Sequence, residues 1–294
     1  MSEGDAQVVM DVVGVLYHPH KEEARSLAFE VQQWLQESGV KAWVTRGHDG
    51  KAEELQLQEQ IPGSSLLVVL GGDGSTLRAA RVAAPYCVPI FGINLGRVGF
   101  LSEAEPGNWQ VRLGKVLEGQ HWVERRLMLQ ANVERDGVEL SKFLAVNDVV
   151  VGRGSQARVL RLNLYVDDDL VTTYTSDGLI VATPTGSTAY AMAAGGPLLP
   201  PELPNFLVVP VAPHLSLDRA VILHQEAVVA IQVEVEHEAT LSADGQNFLS
   251  MDNRDRLLIS KHDDYTCFAR VGSPSYFYHR LMERLGYWHP HGLE

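Results

Sequence analysis

Apolar residues follow two rhythms along this chain. Over the first 120 residues, unbroken β-branched runs alternate with stretches of helical spacing. The run "VVMDVVGVLYHP" predicts a strand buried on both faces. In "KEEARSLAFEVQQWLQESG", Ala24, Leu27, Ala28, Val31, Trp34 and Leu35 recur every three or four residues, acids lead, and Gly39 stands where a C-terminal cap belongs. A strand at "VKAWVTR", a polar helix or loop, and a strand from Leu66 to Leu70 follow. Strand, helix, strand, helix in this order predicts a parallel α/β sheet.

The rhythm changes near residue 120. "RLMLQANVERDGVELSKFLAVNDVVVGRG" sets an Asp136-Gly137 turn between two alternating runs, a β-hairpin pattern. Strand-like runs continue at "RVLRLNLYVDDDLVTTYTSDGLIVAT", "NFLVVPVAP", "AVILHQEAVVAIQVEVE" and "DRLLISKH", and "DDD" at 167–169 reads as a solvated turn. Helical spacing returns in "SYFYHRLMERLGYW". The expected organisation is an α/β domain over 1–120, a β-rich domain over 121–265, and a C-terminal segment, 266–294, packing back on the first domain.

A chain of 294 residues with 45% hydrophobic residues can furnish a core for each domain. No apolar run reaches the roughly 18 residues of a membrane span, and "MSEGDAQVVM" lacks the basic, then apolar, start of a secretory signal, so a cytoplasmic location is expected. Cys87 and Cys267 are solitary and distant in sequence, which predicts two packing residues and neither a disulfide framework nor a paired-thiolate site. A net charge of −13 argues against nucleic-acid and membrane partners. Two stretches are locally cationic: Gly71–Gly99 with Arg78, Arg81 and Arg97, and Gly152–Arg161 with Arg153, Arg158 and Arg161. They suit a small polyanion or, equally, surface ion pairs.

The candidate chemistry starts at "LLVVLGGDGSTLRAARVAA". A buried strand ends at two glycines and a helix begins, so backbone N–H groups point out of the corner as a phosphate cradle. Asp73 in such a corner accepts a proton from an attacking hydroxyl, reaches phosphate through Mg²⁺, or caps the helix. The chain has no Walker loop, no G-x-G-x-x-G, no H-E-x-x-H and no protein-kinase signature set. His18 and His20 in "YHPH" read as loop residues. In "TSDGLIVATPTGSTAYAMAAGGP", four hydroxyls and a glycine fill a turn before a short helix of small residues, with Ser187 as candidate helix cap. That turn serves equally as ligand donor or as plain connection.

Taken in order, "GGDGS" (71–75), "FGINLGRVGFLSE" (91–103), "NDVVVGRG" (147–154), "SDGLIVATPTGSTAYAMAAGGP" (176–197) and "SADGQ" (242–246) closely resemble the NAD kinase family. "GGDG" alone is shared with phosphofructokinases and with diacylglycerol and sphingosine kinases; the threonine-rich block is the specific part. The resemblance implies a Rossmann-like first domain, a β-rich second domain, and transfer of the γ-phosphoryl group of ATP, or of polyphosphate, to the 2′-hydroxyl of the adenosine ribose of NAD. It implies Asp73 as proton acceptor with Gly74 beside the ligand, and Asn147 with Asp148 on the ribose hydroxyls, the acid one methylene shorter than the family's glutamate. Asp177 matches the position at the nicotinamide end, and Thr188, Ala189 and Tyr190 match the block lining the dinucleotide. Ala193 replaces a serine common among relatives; Arg78, Arg158 and Gln246 are further contacts. A divalent cation, Mg²⁺, carried mainly by the triphosphate rather than by a protein metal site, and a homo-oligomer, dimer or tetramer, are implied too. Two other readings are a kinase of the same superfamily acting on a sugar phosphate or lipid, and a non-catalytic dinucleotide sensor.

Overall fold

The computed structural model describes residues 10–47, 57–96, 99–154, 158–214, 217–234 and 238–284. Its first strand, β1 (Val12–Tyr17), buries its four central residues, as a run apolar on both faces must. α1 (Glu22–Glu37) buries Ala24, Ala28, Val31 and Leu35, the inward members of its periodic set. It stops as expected: Gly39 takes φ +81°, and the Val40 N–H donates to the Leu35 carbonyl at 2.9 Å, a left-handed ending that favours glycine.

β2 (Lys41–Arg46), β3 (Leu66–Gly71) and β4 (Ile90–Asn94) follow, with α2 (Asp73–Ala83) leaving β3 after the single residue Gly72. α3 (Trp109–Leu117) and β5 (Trp122–Arg126) complete this stretch. β1 pairs in parallel with β2 and β3, and β3 with β4, the arrangement that helical crossovers produce. The polar segment after β2 lies partly outside the described residues.

Twelve strands come next: β6 (Leu129–Arg135), β7 (Val138–Ala145), β8 (Asp148–Arg153), β9 (Leu160–Val166), β10 (Asp169–Ser176), β11 (Gly178–Ala182), β12 (Asn205–Val211), β13 (Val221–His224), β14 (Val229–Glu234), β15 (Ala239–Ala243), β16 (Asn247–Met251) and β17 (Arg256–Lys261). They form two antiparallel six-stranded sheets, ordered β10-β9-β14-β17-β6-β7 and β13-β12-β11-β8-β15-β16. The β6–β7 hairpin turns on Asp136 (φ 50°) and Gly137 (φ 78°), the two positive values a mirror-image two-residue turn demands. Asp167 and Asp168 turn β9 into β10 in the same way.

One apolar core lies between these two sheets, with Leu129, Leu162, Ile231 and Ile259 from one and Val151, Val181, Phe206 and Leu241 from the other. β11 explains the unbroken run in the sequence: Leu179 and Val181 enter that core, whereas Ile180 and Ala182 meet Ala191, Leu199 and Leu207 on the opposite face. The expected helix after the threonine-rich turn is short: a 3₁₀ turn at Thr185–Thr188, then α4 (Tyr190–Ala193).

β18 (Thr266–Arg270) then joins the first sheet, whose order is β2-β1-β3-β4-β18-β5, and α5 (Tyr276–Arg284) follows. Phe268 of β18 pairs in parallel with Ile90 of β4. By contacts, one unit runs to Arg125 and resumes at Thr266, and the other spans Arg126–Tyr265. The expected C-terminal helix beyond residue 284 lies outside the described residues.

The cysteines depart from expectation. Cys87 precedes β4 and Cys267 lies on neighbouring β18, so the sheet brings together two residues 180 apart in sequence, Cys87 exposed and Cys267 buried, with sulfurs 2.7 Å apart.

Candidate active site

In the first unit the candidate residues gather at the corner between β3 and α2. β3 is buried along its length; Gly72, with extended backbone, takes the N-cap position, and Asp73 is the first helical residue. The Ser75 and Thr76 N–H groups both donate to the Gly72 carbonyl, at 3.0 and 3.2 Å. A Cβ on Gly71 would fall 2.7 Å from that of Ser75, so the corner is closed to any larger residue. With Gly72 as N-cap, the capping reading of Asp73 gives way to another role. Asp73 Oδ2 accepts the Phe100 N–H at 3.2 Å and Oδ1 accepts the Leu101 N–H at 3.3 Å. Glycine at 99 is required here, because a side chain there would run into the Asp73 carboxylate.

The segment that holds Asp73 is itself held by buried charges. Arg270, at the end of β18 and 1% exposed, donates from Nη1 to the Leu101 carbonyl at 3.1 Å and to Glu103 Oε2 at 3.3 Å. Its Nε donates to Glu124 Oε2 at 2.8 Å, and the Tyr276 hydroxyl donates to Glu124 Oε1 at 2.9 Å. Arg112 and Arg280 also pair with Glu103, and the Val271 N–H donates to its Oε1 at 3.1 Å. Every buried acid in this cluster has a cationic partner, the condition under which buried charge is tolerated. A chain of contacts thus runs from Arg270 through the Leu101 peptide to the Asp73 carboxylate.

Gly74 is exposed and Arg78 half-buried; Arg78 lines a small cleft with Tyr17, Pro19, Gly47 and Ser75. Arg97 lies outside the described residues. The His20 N–H donates to His18 Nδ1 at 3.2 Å, a loop contact.

The other unit carries a second acidic corner. Asn147 and Asp148 lead into β8, and their N–H groups donate to Asp244 Oδ1 at 2.8 and 3.3 Å, while the Val146 N–H donates to the same carboxylate at 3.1 Å. Asp244 thereby seats the acidic corner from the β15–β16 turn, where it and Gly245 both have positive φ. Asp148 is 5% exposed. Burial, chiefly, and the facing Asp244 carboxylate push its carboxyl up to about 7, against the Tyr190 backbone N–H that donates to it. Asn147, Asp148 and Tyr190 are therefore brought together.

The hydroxyls of the threonine-rich turn are engaged within it. Thr183 Oγ1 donates to the Val146 carbonyl at 2.6 Å and accepts the Gly186 N–H at 3.0 Å. Ser187 Oγ donates to the Pro184 carbonyl and accepts the Leu199 N–H. Thr188 Oγ1 donates to the Thr185 carbonyl at 3.0 Å, and Arg126 donates to Thr185 at 3.3 Å. Ser187 is not the helix cap; Ala189 occupies that position. A side chain on Gly186 would strike the Asn147 carbonyl, so the turn lies flush against the Asn147–Asp148 corner. Thr188 is buried, Ala189 half-buried, and Tyr190 and Ala193 exposed.

Asp177 stands apart. Strand register sets Ala182 beside Asp148 but Gly178 beside Gly152, which places Asp177 about 15 Å along the sheet from Asp148 at ~3.3 Å per residue. There it pairs with Arg153 at 3.1 Å. Arg161 pairs with Glu234 at 3.0 Å, so two arginines of that cationic stretch form surface ion pairs. Arg158 is exposed, and the Gln246 N–H donates to the Ala243 carbonyl at 3.0 Å within the β15–β16 loop.

Among the described residues no group of three or more His, Cys, Asp or Glu side chains is arranged to hold a metal ion. The single carboxylate of Asp73 at a helix N-terminus fits a hard cation that arrives on phosphate oxygens and keeps its waters. Among the same residues no helix is long and apolar enough to cross a membrane.

Sequence reasoning missed Arg270, Glu103 and Glu124, and it did not assign Asp244 its role. Only Asp244 carried a local signal, the Asp-Gly turn in "SADGQ".

Comparison with known proteins gives a consistent picture. Residues 13–121 match the model of the ATP-NAD kinase N-terminal domain, and residues 146–271 that of the ATP-NAD kinase C-terminal domain. An NAD kinase of Heliobacterium modesticaldum is 37% identical over 272 residues, covering 91% of this chain and 96% of its own length. One from Thermoanaerobacter sp. (strain X514) is 35% identical over 275 residues, with the same two coverages. Among solved structures, yeast NADH kinase complexed with NADH superposes with a TM-score of 0.85 at 25% identity, over 98% of this chain and 91% of that one. An NAD kinase from Archaeoglobus fulgidus in complex with ATP gives 0.73 at 29% identity, over 95% and 100%.

Proposed function

Because the chain belongs to the NAD kinase family, we propose that it transfers the γ-phosphoryl group of ATP to the 2′-hydroxyl of the adenosine ribose of NAD, giving NADP and ADP. The observation that carries this reading is the Asp73 carboxylate, fixed by the Phe100 and Leu101 N–H groups at the N-terminus of α2.

A ribose hydroxyl is a weak nucleophile at neutral pH, and phosphoryl transfer depends on positioning, a proton acceptor and charge stabilisation. In this reading the 2′-hydroxyl gives its proton to Asp73 while the new oxygen–phosphorus bond forms and the bond between the γ-phosphorus and the bridging oxygen breaks. The α2 N-terminus favours the phosphate charge, and Gly74 lets the backbone approach. Asn147 and Asp148 hold ribose hydroxyls, Asp148 being able to donate as well as accept because its carboxyl titrates near neutrality. Thr188, Ala189, Tyr190 and Ala193 line the dinucleotide, and Arg78, Arg158 and Gln246 supply further contacts. A Mg²⁺ carried by the triphosphate would neutralise charge on the transferring group.

The protein is proposed to work in the cytoplasm as a homo-oligomer. In that assembly the loop at 244–246 would reach the site of a neighbouring copy.

The test is NADP(H) formation from ATP and Mg²⁺ with NAD and NADH in parallel, beside the Asp73→Asn variant. Product from wild type, its loss in the variant and retained NAD binding are expected. Binding without product in the wild type would instead identify a dinucleotide sensor.

A further inference from the structure

The two cysteines are chemically unlike and geometrically matched. Cys87 closes the 3₁₀ turn Ala84–Tyr86 that follows α2, with φ 51° and its N–H on the Ala84 carbonyl at 3.0 Å. Left-handed backbone is uncommon for a cysteine, and here it accompanies a thiol set against Cys267. Cys87 is exposed, whereas Cys267 is 2% exposed within β18. Their sulfurs are 2.7 Å apart, closer than two unbonded sulfurs pack and longer than the roughly 2.05 Å of a disulfide. An open thiol backed by a buried one is the arrangement in which the first meets an oxidant and the second resolves it.

We propose that Cys87 and Cys267 form a reversible dithiol–disulfide couple whose oxidant is a small hydroperoxide. The Cys87 thiolate attacks the terminal, hydrogen-bearing peroxide oxygen; an S–O bond forms, the O–O bond breaks, and the departing alkoxide, or hydroxide from hydrogen peroxide, takes up the proton the thiol released and leaves as alcohol or water. The Cys267 sulfur then attacks the Cys87 sulfenic sulfur; the S–S bond forms, the S–O bond breaks, and the departing hydroxide takes the Cys267 proton as water. Two sulfurs are oxidised by two electrons in all, and one peroxide is reduced. A thiol reductant restores the pair through a mixed disulfide.

The bond has a definite mechanical meaning. It joins the end of the helix that begins with Asp73 to the strand whose Arg270 holds the Leu101 peptide. Both supports of the Asp73 carboxylate would thus be stapled in one covalent loop.

The experiment titrates reduced, full-length protein with hydrogen peroxide under native conditions, alkylates it, and examines intact and tryptic masses. Expected are a 2 Da loss (about two hydrogens) and a linked pair of peptides, Val82–Arg97 joined to His262–Arg270, both reversed by dithiothreitol. The thermal midpoint of oxidised wild type should rise by about 5 °C, with no such rise in Cys87→Ser. The Cys87→Ser change is at an exposed position, so its fold is preserved; Cys267→Ser should instead let Cys87 proceed to sulfinic acid. Sulfinic acid on Cys87 in the wild type, with Cys267 still alkylated after unfolding, would overturn the proposal. So would linked peptides that prove, on mixing isotopically light and heavy protein, to come from two chains. None of these readouts depends on kinase activity.

Discussion

Asp73 and Asp148 are aspartates at two strand ends, and their surroundings treat them oppositely. Asp73 accepts two backbone N–H groups; behind these lies a set of buried charges, Glu103, Glu124 and Arg270, all in the same unit. Asp148 is buried and faces a second acid, Asp244, and burial first and that acid second push it up to about 7; behind it lies an apolar sandwich core to which Val149 and Val151 contribute. Backbone donors fix the first carboxylate in place, whereas burial, with a facing carboxylate second to it, makes the other keep a proton. The comparison teaches that residue type alone does not assign an acid's role.

Exchanging Asp73→Asn and Asp148→Asn in turn breaks this comparison most sharply. The first should lower kcat by about 10²- to 10⁴-fold with NAD affinity nearly unchanged, and the second should have a much smaller effect on kcat; equal losses in a steady-state assay would refute the division of roles. Next in size, Arg270→Met removes the guanidinium shared by Glu103 and Glu124 and should cost about 3–5 kcal/mol in urea unfolding. A loss under about 1 kcal/mol would mean that the cluster is not a stabilising unit.

Asp148 also carries a pH signature. Its folded value near 7 lies above its unfolded value of 3.8, so its contribution to stability is complete below about pH 4 and is lost as pH rises through 7. Asp148→Asn, which mimics the protonated form, should therefore stabilise by about 2 kcal/mol more at pH 8 than at pH 5.5. Identical increments at the two pH values would sink the assignment. Smallest of all, Arg161→Ala breaks an exposed pair with Glu234 and should shift stability by no more than about 0.5 kcal/mol, which serves as the surface control for the buried cluster.

What the sequence disclosed depended on the range of the signal. The parallel first strands, the Gly39 ending, the Asp136-Gly137 hairpin and the tight Gly71-Gly72 corner were readable because each is decided by neighbours within a few residues. The placing of Asp73 at the start of a helix was legible for the same reason. Arg270 was not: its partners Glu103 and Glu124 lie 167 and 146 residues away, and no local pattern marks an arginine as buried. Cys87 and Cys267 were hidden in the same way, since only the adjacency of β4 and β18 brings them together. The threonine-rich turn was only partly legible: Ser187 read as a helix cap, whereas its hydroxyl, with those of Thr183 and Thr188, folds the turn upon itself and upon the Val146 backbone.

The placing of β18 between β4 and β5 has a consequence for how the chain is made. On the ribosome, the residues of the Asp73 corner emerge first and those of β18 only after the entire sandwich unit has been synthesised. Until then the first sheet has a gap between β4 and β5, and Glu103 and Glu124 await their guanidinium. Domains elsewhere generally fold as units from the N-terminus onward; here the leading unit stays unfinished until β18 has followed the whole sandwich unit out. A polypeptide interrupted midway therefore carries an open sheet edge and unmatched acids, which expose it to quality control before it can turn over substrate.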